Sequence, residues 1–317
     1  MKKVFIAILA LLVLSPFAVI FLRPNKIIAK EKARERFANE NSHFIKWKDA
    51  EIHYVDEGEG TPIIMIHGFG GSHRNFYKVA QILKKDFRVI RVDLPGFGLS
   101  DFPASEANNK DLIKLYREYM SFMLNDALQL DSVYLIGNSL GGWMAWETTV
   151  DNPDKVKKLT LVCSAGYEMD KVSNNAAALL KNSFVQLLFL RGMPLSFSED
   201  GAKKCYYDHS KINTKEVENN NALWNREGNI EAAFRMAGSG QYPDTTRIEK
   251  IQCPTLIVWG KEDEIIPAEH ANKFKGAIKN STLVMYNNCG HVPMIENTEK
   301  TAVDILKFAL NQNTIPN

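Results

Sequence analysis

Apolar and polar positions follow two different periods from about residue 44 onward. Alternation over Phe44–Trp47 and Ile52–Val55 predicts a pair of edge strands. Short continuous apolar runs rich in β-branched residues predict buried parallel strands. These runs are Pro62–Ile66, Phe87–Val92, Val133–Ile136, Leu159–Cys163 and Thr255–Trp259, and a last strand is predicted over Thr282–Tyr286.

Stretches of helical periodicity separate the predicted strands. They cover Asn75–Leu83, Lys110–Leu128 and Gly142–Val150, and a closing helix is predicted near Thr298–Leu310. Strands that alternate with helices in this way predict an α/β fold, in which helices cover both faces of a mostly parallel sheet.

The long stretch between two predicted core strands carries no confident strand pattern. We therefore divide the globular part into a first core segment (43–166), a helical cap or lid (167–246) and a second core segment (247–317). Within the cap, four apolar side chains share one helical face, which either packs on the core or lines a path for substrate. They are Leu180, Phe184, Leu187 and Leu188.

The first 22 residues differ in character from the rest. An apolar run from Val4 to Leu22 follows Lys2 and Lys3, and as a helix it would rise about 28 Å, close to the ~30 Å of a bilayer's hydrocarbon. This predicts an uncleaved membrane anchor, with a cleaved signal peptide and export as the alternative. The side of the membrane on which the globular part would lie is left open. Residues 23–42 are rich in charged residues and predict a solvated helix or tether.

Charge and cysteine content exclude two classes of function. The chain of 317 residues has 39 basic and 37 acidic side chains, a balance too even for the positive field that nucleic-acid binding needs. The four cysteines lie far apart, without the spacing of a zinc site or a CxxC redox motif, and are expected to be small buried apolar residues. They are Cys163, Cys205, Cys253 and Cys289.

The strongest chemical signal is the GxSxG pattern of Gly137, Ser139 and Gly141. It follows a predicted strand directly and precedes a predicted helix, which is the context of a nucleophile elbow. The tight turn requires neighbours without side chains two positions away on each side of the serine. A glycine-rich turn with an incidental serine is the alternative, and the flanking strand and helix favour the elbow.

A serine hydroxyl needs a general base, and the chain has seven histidines. His291 follows the last predicted strand, where a loop can bring its imidazole to Ser139. His67 is expected to brace the glycine-rich turn that begins with it. The others have polar or edge surroundings and are interpreted as surface residues: His43, His53, His73, His209 and His270.

The imidazole needs a carboxylate to fix its tautomer, and Asp263 is the best placed. It follows the predicted strand Thr255–Trp259, and the order serine, acid, histidine is that of a nucleophile-elbow enzyme. Four other acids stay open on chemistry alone: Glu262, Glu264, Glu168 and Asp170.

Backbone N–H groups of Phe69 and Leu140 are the expected donors to a tetrahedral oxyanion. Phe69 lies in a turn after the third predicted strand, flanked by Gly68 and Gly70, and Leu140 follows Ser139. No metal or organic cofactor is implied by these residues.

Taken in order, the motifs resemble those of the α/β-hydrolase superfamily over residues 44 to 310. They are His67–Ser72, Asp93–Ser100, Gly137–Gly142, Gly260–Pro267 and Gly290–Pro293. The resemblance implies the α/β-hydrolase fold, with a mostly parallel eight-stranded sheet, helices on both faces and a helical lid.

Two branches of that superfamily are similar at the elbow: the family V bacterial lipases and esterases, and the C–C hydrolases of meta-cleavage products. C–C hydrolases usually have tryptophan after the catalytic histidine, whereas Val292 follows His291 here, so the lipase-like branch is the closer match. Epoxide hydrolases and haloalkane dehalogenases use aspartate at the elbow, and Ser139 argues against both.

The resemblance and the residues together predict a serine hydrolase that cleaves small, hydrophobic carboxylic esters. C–C bond hydrolysis and a non-catalytic, hydrolase-like binding protein are the alternatives. Activity is expected to fall below about pH 6 to 7, because the base must be neutral and free histidine titrates near 6.5.

Overall fold

Eight strands form one sheet in this computed structural model, which describes residues 24–168, 186–187, 189 and 191–311. Their order across the sheet is β1-β2-β4-β3-β5-β6-β7-β8. The strands are β1 (Ser42–Trp47), β2 (Ala50–Glu57), β3 (Pro62–Ile66), β4 (Arg88–Val92), β5 (Val133–Asn138), β6 (Val156–Val162), β7 (Thr255–Gly260) and β8 (Ser281–Tyr286).

The sheet is antiparallel only at one edge. β1 pairs with β2 and β2 with β4 in antiparallel fashion, while every other neighbouring pair is parallel. The predicted α/β class and the eight-stranded, mostly parallel sheet are therefore confirmed. Since parallel strands all point the same way, their carboxyl ends meet at one edge, which is where the site described below lies.

Helices cover both faces of this sheet. They are α1 (Lys30–Phe37), α2 (Tyr77–Leu83), α3 (Leu112–Phe122), α4 (Leu140–Asp151), α5 (Leu195–Cys205), α6 (Thr214–Trp224), α7 (Asn229–Gly238), α8 (Glu269–Ala277), α9 (Pro293–Glu296) and α10 (Thr298–Ala309). One turn of π-helix, Met123–Ala127, continues α3.

The core lies in two layers because successive strand residues point to opposite faces. Ile64 and Leu135 belong to the layer under α3 and α4, whereas their neighbours Met65 and Ile136 belong to the layer under α2 and α10. Every residue of β5 and of β7 is buried. This explains why these strands appear in the sequence as continuous apolar runs rather than as alternation.

Strand β6 begins at Val156, three residues before the predicted Leu159, and the two residues between them are lysines. Lys158 is half-buried, and its Nζ donates to Phe308 O at 2.8 Å, at the end of α10. The long aliphatic stem of a lysine can lie on a sheet while its amine reaches carbonyl oxygens. Apolar periodicity alone does not detect such a residue.

Between β6 and β7 the described residues contain the helices α5, α6 and α7 and no strand of the sheet. A helical composition for the predicted cap, 167–246, agrees with these elements, and its boundaries remain a prediction. Leu187 is among the described residues. Leu180, Phe184 and Leu188 of the predicted apolar face lie outside them.

The segment before β1, expected to be a solvated tether, has a buried face. Ala33 and Phe37 lie one helical turn apart on α1 and pack against Leu99 and Leu223. Ile28 forms a parallel β-bridge with Arg226. The predicted helix is present, and it is docked on the core and on α6 rather than surrounded by solvent.

The predicted localisation at a membrane is wrong for the part of the chain that the structure describes. None of the described helices is both long and apolar enough to cross a bilayer. For comparison, α4 and α10 have 12 residues each, against about 20 in a spanning helix. Residues 1–22, on which both the anchor and the export signal were predicted, lie outside the described residues.

Candidate active site

Ser139 lies in the tight turn between β5 and α4 with unusual backbone angles, φ 55° and ψ −119°. A residue other than glycine rarely adopts such angles, and where it does the surrounding structure must enforce them. The flanking glycines are required by close approach. A Cβ on Gly137 would lie 2.1 Å from Gly141 O, and a Cβ on Gly141 would lie 2.2 Å from Ile66 O.

His291 and Asp263 meet in the loops that follow β8 and β7. The Nδ1 of His291 lies 2.8 Å from Asp263 Oδ2, and both residues are buried. The other oxygen, Oδ1, accepts the N–H groups of Ile265 at 2.8 Å and Ile266 at 2.9 Å. Since the carboxylate is fixed by its own loop, the imidazole receives a fixed orientation in turn.

A hydrogen bond joins the histidine loop to the elbow. The side chain of Asn138, the residue before Ser139, donates from Nδ2 to His291 O at 3.2 Å and to Val162 O at 3.0 Å. Ser139 is half-buried at the same carboxyl edge of the sheet. The structure therefore brings the predicted serine, histidine and aspartate to one edge of the sheet.

Of the four alternative acids, the three among the described residues are exposed or make another contact. Glu262 Oε2 accepts the N–H of Cys289 at 2.9 Å, and Glu264 and Glu168 are exposed. Asp170 lies outside the described residues. Asp263 is thus the carboxylate that the structure places on His291.

The predicted oxyanion turn lies against the serine. A Cβ on Gly68 would approach the Cβ of Ser139 to 3.1 Å, so the backbone that leads into Phe69 passes directly beside the elbow. Leu140 is the first residue of α4, and an N–H in a first helical turn has no acceptor within its own helix. The turn that contains Phe69 and the first residue of α4 therefore both adjoin Ser139.

His67 braces this turn, as the sequence predicts. Its Nδ1 donates to Gly68 O at 2.7 Å, and its Nε2 accepts the N–H of Leu94 at 3.1 Å. This pairing requires the neutral imidazole with its proton on Nδ1. Burial lowers the pKa of His67, although the charge of Asp93 opposes that effect, so the ring stays in its bracing form.

Aromatic rings surround the outer side of the turn. The ring of Phe69 makes edge contacts with Phe97 at 5.6 Å and with Trp224 of α6 at 5.7 Å, measured between centroids. Phe69 itself is 40% exposed. The described side chains beside the turn thus give this side of the site an apolar character.

Three histidines interpreted as surface residues are in fact buried: His53, His73 and His270. The first two converge on Asp93. Their Nδ1 atoms lie 2.7 Å and 3.0 Å from Asp93 Oδ2. The backbone N–H groups of His73 and Leu99 donate to the same carboxylate, at 2.6 and 2.8 Å.

This buried cluster was missed because its partners are distant in sequence. The polar residues near His53 on a short strand indicated that its side chain is exposed to solvent. Only folding brings it to Asp93. One signal was available, because Asp93 opens the Asp93–Ser100 motif directly after a buried strand. A charged side chain at the end of a buried strand needs hydrogen-bond or ionic partners.

Opposing effects set the charge in the cluster. Burial alone would raise the pKa of Asp93, but the attraction of His73 and the hydrogen bonds from His53 and His73 outweigh it and hold that pKa well below its usual range. Burial lowers the pKa of His73 despite the neighbouring carboxylate. Asp93 is therefore a carboxylate held by N–H donors.

Two groups of described side chains bring potential metal ligands together. They are His53, His73 and Asp93, and Cys163, Asp263 and His291, each with ligand atoms within 4.8 Å of one another. In both groups the imidazoles already hydrogen-bond the carboxylate. A cation would have to displace those bonds, so we assign a metal to neither.

Comparisons with known proteins identify the family to which this fold belongs. The family model described as alpha/beta hydrolase fold matches residues 61–298. The chain is 30% identical over 273 residues to 2-hydroxy-6-oxononadienedioate/2-hydroxy-6-oxononatrienedioate hydrolase 2 of Pseudomonas putida, covering 82% of this chain and 92% of that protein. It is 28% identical to Lipase 1 of Psychrobacter immobilis, over 80% of this chain and 79% of the lipase.

A solved structure is similar as well. The serine hydrolase involved in carbazole degradation, called the CarC enzyme, superposes with a TM-score of 0.68 and 27% identity, covering 86% of this chain and 99% of that one. The family model covers more than half of the chain, and the sheet, the elbow and the order of the motifs are all present. This chain therefore belongs to the α/β-hydrolase fold family.

Proposed function

We propose that the protein hydrolyses carboxylic esters with Ser139 as nucleophile, His291 as general base and Asp263 as the orienting carboxylate. The observation that carries this proposal is the 2.8 Å contact of His291 Nδ1 with Asp263 Oδ2, in a loop that is tied to the residue before Ser139. A hydroxyl, an imidazole and a carboxylate in this order are the parts of a serine hydrolase.

In the proposed reaction, Ser139 Oγ attacks the ester carbonyl while His291 Nε2 takes the hydroxyl proton. The imidazolium then gives that proton to the leaving alcohol, and an acyl-enzyme forms on Ser139. Water, activated by the same nitrogen, releases the acid. Asp263 accepts the hydrogen bond from the Nδ1–H of His291 throughout, so that Nε2 is the nitrogen that takes and gives the proton.

The N–H groups of Leu140 and Phe69 are proposed to stabilise the negative oxygen of the tetrahedral intermediate. Losing one such donor typically raises the barrier by about 3 to 4 kcal/mol. Neither donor is a side chain, so their placement depends on the backbone of the elbow and of the turn Gly68–Gly71. The glycines at Gly68 and Gly141 permit the two segments to approach each other.

Ester cleavage is favoured over C–C cleavage by the residues beside the site. Val292 follows His291 where C–C hydrolases usually have tryptophan, and it is buried in the core layer under α2 and α10. The rings of Phe69, Phe97 and Trp224 offer an apolar surface to an acyl group. Burying such a group from water is favourable by about 25 cal/mol per Å².

C–C bond hydrolysis is the second candidate, because the relative in Pseudomonas putida is a hydrolase of that kind by name. The substrate in the name of that relative is a dicarboxylic acid. A charged carboxylate would need a cation or several N–H donors in the site, since burying an unpaired charge is costly.

The two candidates separate in one pair of assays on the purified full chain. p-Nitrophenyl esters from acetate to octanoate report ester cleavage, and the loss of ultraviolet absorbance of a 2-hydroxy-6-oxohexa-2,4-dienoate reports C–C cleavage. We expect turnover of the esters, greater for butyrate and longer chains than for acetate, and its loss in Ser139→Ala. Faster turnover of the dienoate than of every ester would replace the proposal by its alternative.

A further inference from the structure

Trp224, the last residue of α6, contacts the predicted oxyanion turn closely. A Cβ placed on Gly70 would lie 2.2 Å from the six-membered part of its indole and 3.0 Å from its Nε1. The ring of Phe69 meets the same indole edge-on, with centroids 5.7 Å apart. One cap side chain therefore covers two consecutive residues of the turn.

Hydrogen bonds to Gly68 O, from His67 Nδ1 and from the Gly71 N–H, hold the base of the turn, so Phe69 and Gly70 at its tip depend on packing from outside it. Gly70 has φ +68°, a left-handed backbone conformation, and the turn has glycine at three of its four positions. Glycine offers no side chain for packing and allows more backbone conformations than any other residue. Phe69 is the exception, and its ring is bracketed by Phe97 on the core side and Trp224 on the cap side.

The backbone that follows Trp224 is firmly attached to the core. Arg226 donates to Asp101 Oδ1 at 2.6 Å, and Asn229 Nδ2 donates to Gly98 O at 2.9 Å. The segment before β1 adds two backbone bonds, from Ile28 N–H to Asn225 O at 2.7 Å and from Glu227 N–H to Ile28 O at 2.9 Å. The backbone that carries the indole is thus held in place relative to the turn.

We infer that Trp224 is a positioning residue for the oxyanion turn, acting by confining Gly70 and the ring of Phe69 so that the Phe69 N–H stays aimed at the oxyanion. This inference rests on the proposed function, because it concerns the same site. An oxyanion donor acts only when it is already in place before reaction, and small displacements are costly. On this inference, a side chain of the predicted cap contributes to the chemical step.

The test compares Trp224→Ala with Trp224→Phe on p-nitrophenyl butyrate. Alanine removes the ring that confines the turn, so we expect kcat to fall about 10- to 100-fold, below the full loss of one donor, with KM changed by less than about threefold. Phenylalanine keeps an aromatic ring against Gly70 and is expected to restore kcat to within about fivefold of wild type.

Phe197→Ala is the matched control. Phe197 lies on α5 and contacts Trp224 edge-on, with ring centroids 6.1 Å apart, whereas the atoms nearest a Cβ on Gly70 all belong to Trp224. Its removal takes an aromatic ring from beside Trp224 and leaves the indole in place against Gly70, so we expect kcat to stay within about threefold of wild type. All rates are normalised to active sites titrated with a fluorophosphonate, which removes any difference in folded fraction.

A boronic acid supplies a second readout, since its tetrahedral adduct with serine places an oxygen where the oxyanion forms. If Trp224 positions the Phe69 N–H, the inhibition constant of the boronic acid rises in Trp224→Ala by about the same factor by which kcat/KM falls. A loss confined to KM, an unchanged boronate affinity, or an equal loss in Phe197→Ala would overturn the inference. Wild type that cleaves no ester would instead overturn the proposed function.

Discussion

The part of the chain that the structure describes contains two strings of serine, histidine and aspartate. In the first, Asp263 holds His291 beside the elbow of Ser139. In the second, Asp93 Oδ2 lies 2.7 Å from His53 Nδ1, and His53 Nε2 lies 2.9 Å from the hydroxyl of Ser42. By distances alone the second string looks like a catalytic triad.

The backbone around the serine distinguishes them. Ser42 lies on the edge strand β1, in regular antiparallel pairing with Val55, and its hydroxyl also accepts the N–H of Asn39. Ser139 has a strained backbone at the start of a helix, with a glycine turn against it. A hydrogen-bonded serine is therefore not sufficient, because attack also needs an accessible hydroxyl and donors for the oxyanion.

The carboxylates differ in the same sense. Asp93 binds two imidazoles and the backbone of two loops, so its hydrogen bonds connect parts of the fold. Asp263 binds one imidazole and its own loop. We infer that the Asp93 string stabilises the fold, whereas the Asp263 string carries the chemistry.

The largest expected effect separates the two serines. Ser139→Ala removes the nucleophile and is expected to lower kcat on p-nitrophenyl butyrate by at least about 10⁴-fold. Ser42→Ala removes a hydroxyl from an edge strand, and kcat is expected to stay within about twofold. Steady-state kinetics of both variants measure this, and a Ser42→Ala enzyme as inactive as Ser139→Ala would reverse the assignment.

Replacing each aspartate by asparagine is expected to give opposite phenotypes. Asp263→Asn leaves an acceptor for Ile265 and Ile266 but disturbs the tautomer of His291, so kcat should fall about 10⁴-fold while stability changes by about 1 kcal/mol. In Asp93→Asn, an amide replaces the carboxylate that accepts several buried N–H groups, so the free energy of unfolding should fall by about 3 kcal/mol.

Urea unfolding and kinetics on the same preparations test both statements. Folded Asp93→Asn is expected to keep most of its kcat under conditions where the native state is populated. A large loss of stability in Asp263→Asn, with little effect from Asp93→Asn, would contradict the division of roles.

A smaller effect is expected in the pH dependence of stability. Burial lowers the pKa of His67 and of His73, so both stay neutral in the folded protein at pH values where they protonate in the unfolded chain. The unfolded state then binds more protons, so their contribution is complete above about pH 6.5 and is lost as the pH falls below it. Asp93, with its depressed pKa, adds a further loss below about pH 4.

Urea midpoints between pH 8 and 5 measure this slope. His73→Gln is expected to flatten it in part, and His43→Gln, at an exposed position on β1, serves as the control. A midpoint that rises on acidification would contradict the buried, neutral state of these imidazoles.

The sequence predicted the elbow, the sheet and the histidine loop because each has a local physical cause. The spacing of Gly137 and Gly141 around Ser139 follows from backbone atoms that leave no room for a Cβ. The continuous apolar runs follow from strands buried on both faces. Such constraints act within a few residues and are visible in a single chain.

The sequence favoured Asp263 by its position and by the order of the motifs, but its chemistry alone left the adjacent acids open, because the distinction depends on how one loop folds. Asp263 is short enough for Oδ1 to accept the N–H groups two and three residues ahead while Oδ2 reaches His291. The docking of α1 had a visible signal, the apolar pair Ala33 and Phe37 at a spacing of four. The surrounding lysines and glutamates hid it.

Labelling the full-length protein with a fluorophosphonate, followed by digestion and mass spectrometry, tests the central claim most directly. The reagent modifies only a serine whose hydroxyl is activated by a base and whose oxyanion is stabilised. The account predicts a single stoichiometric adduct on the peptide that contains Ser139. An adduct on the peptide with Ser42, or a folded protein that does not label, would contradict it.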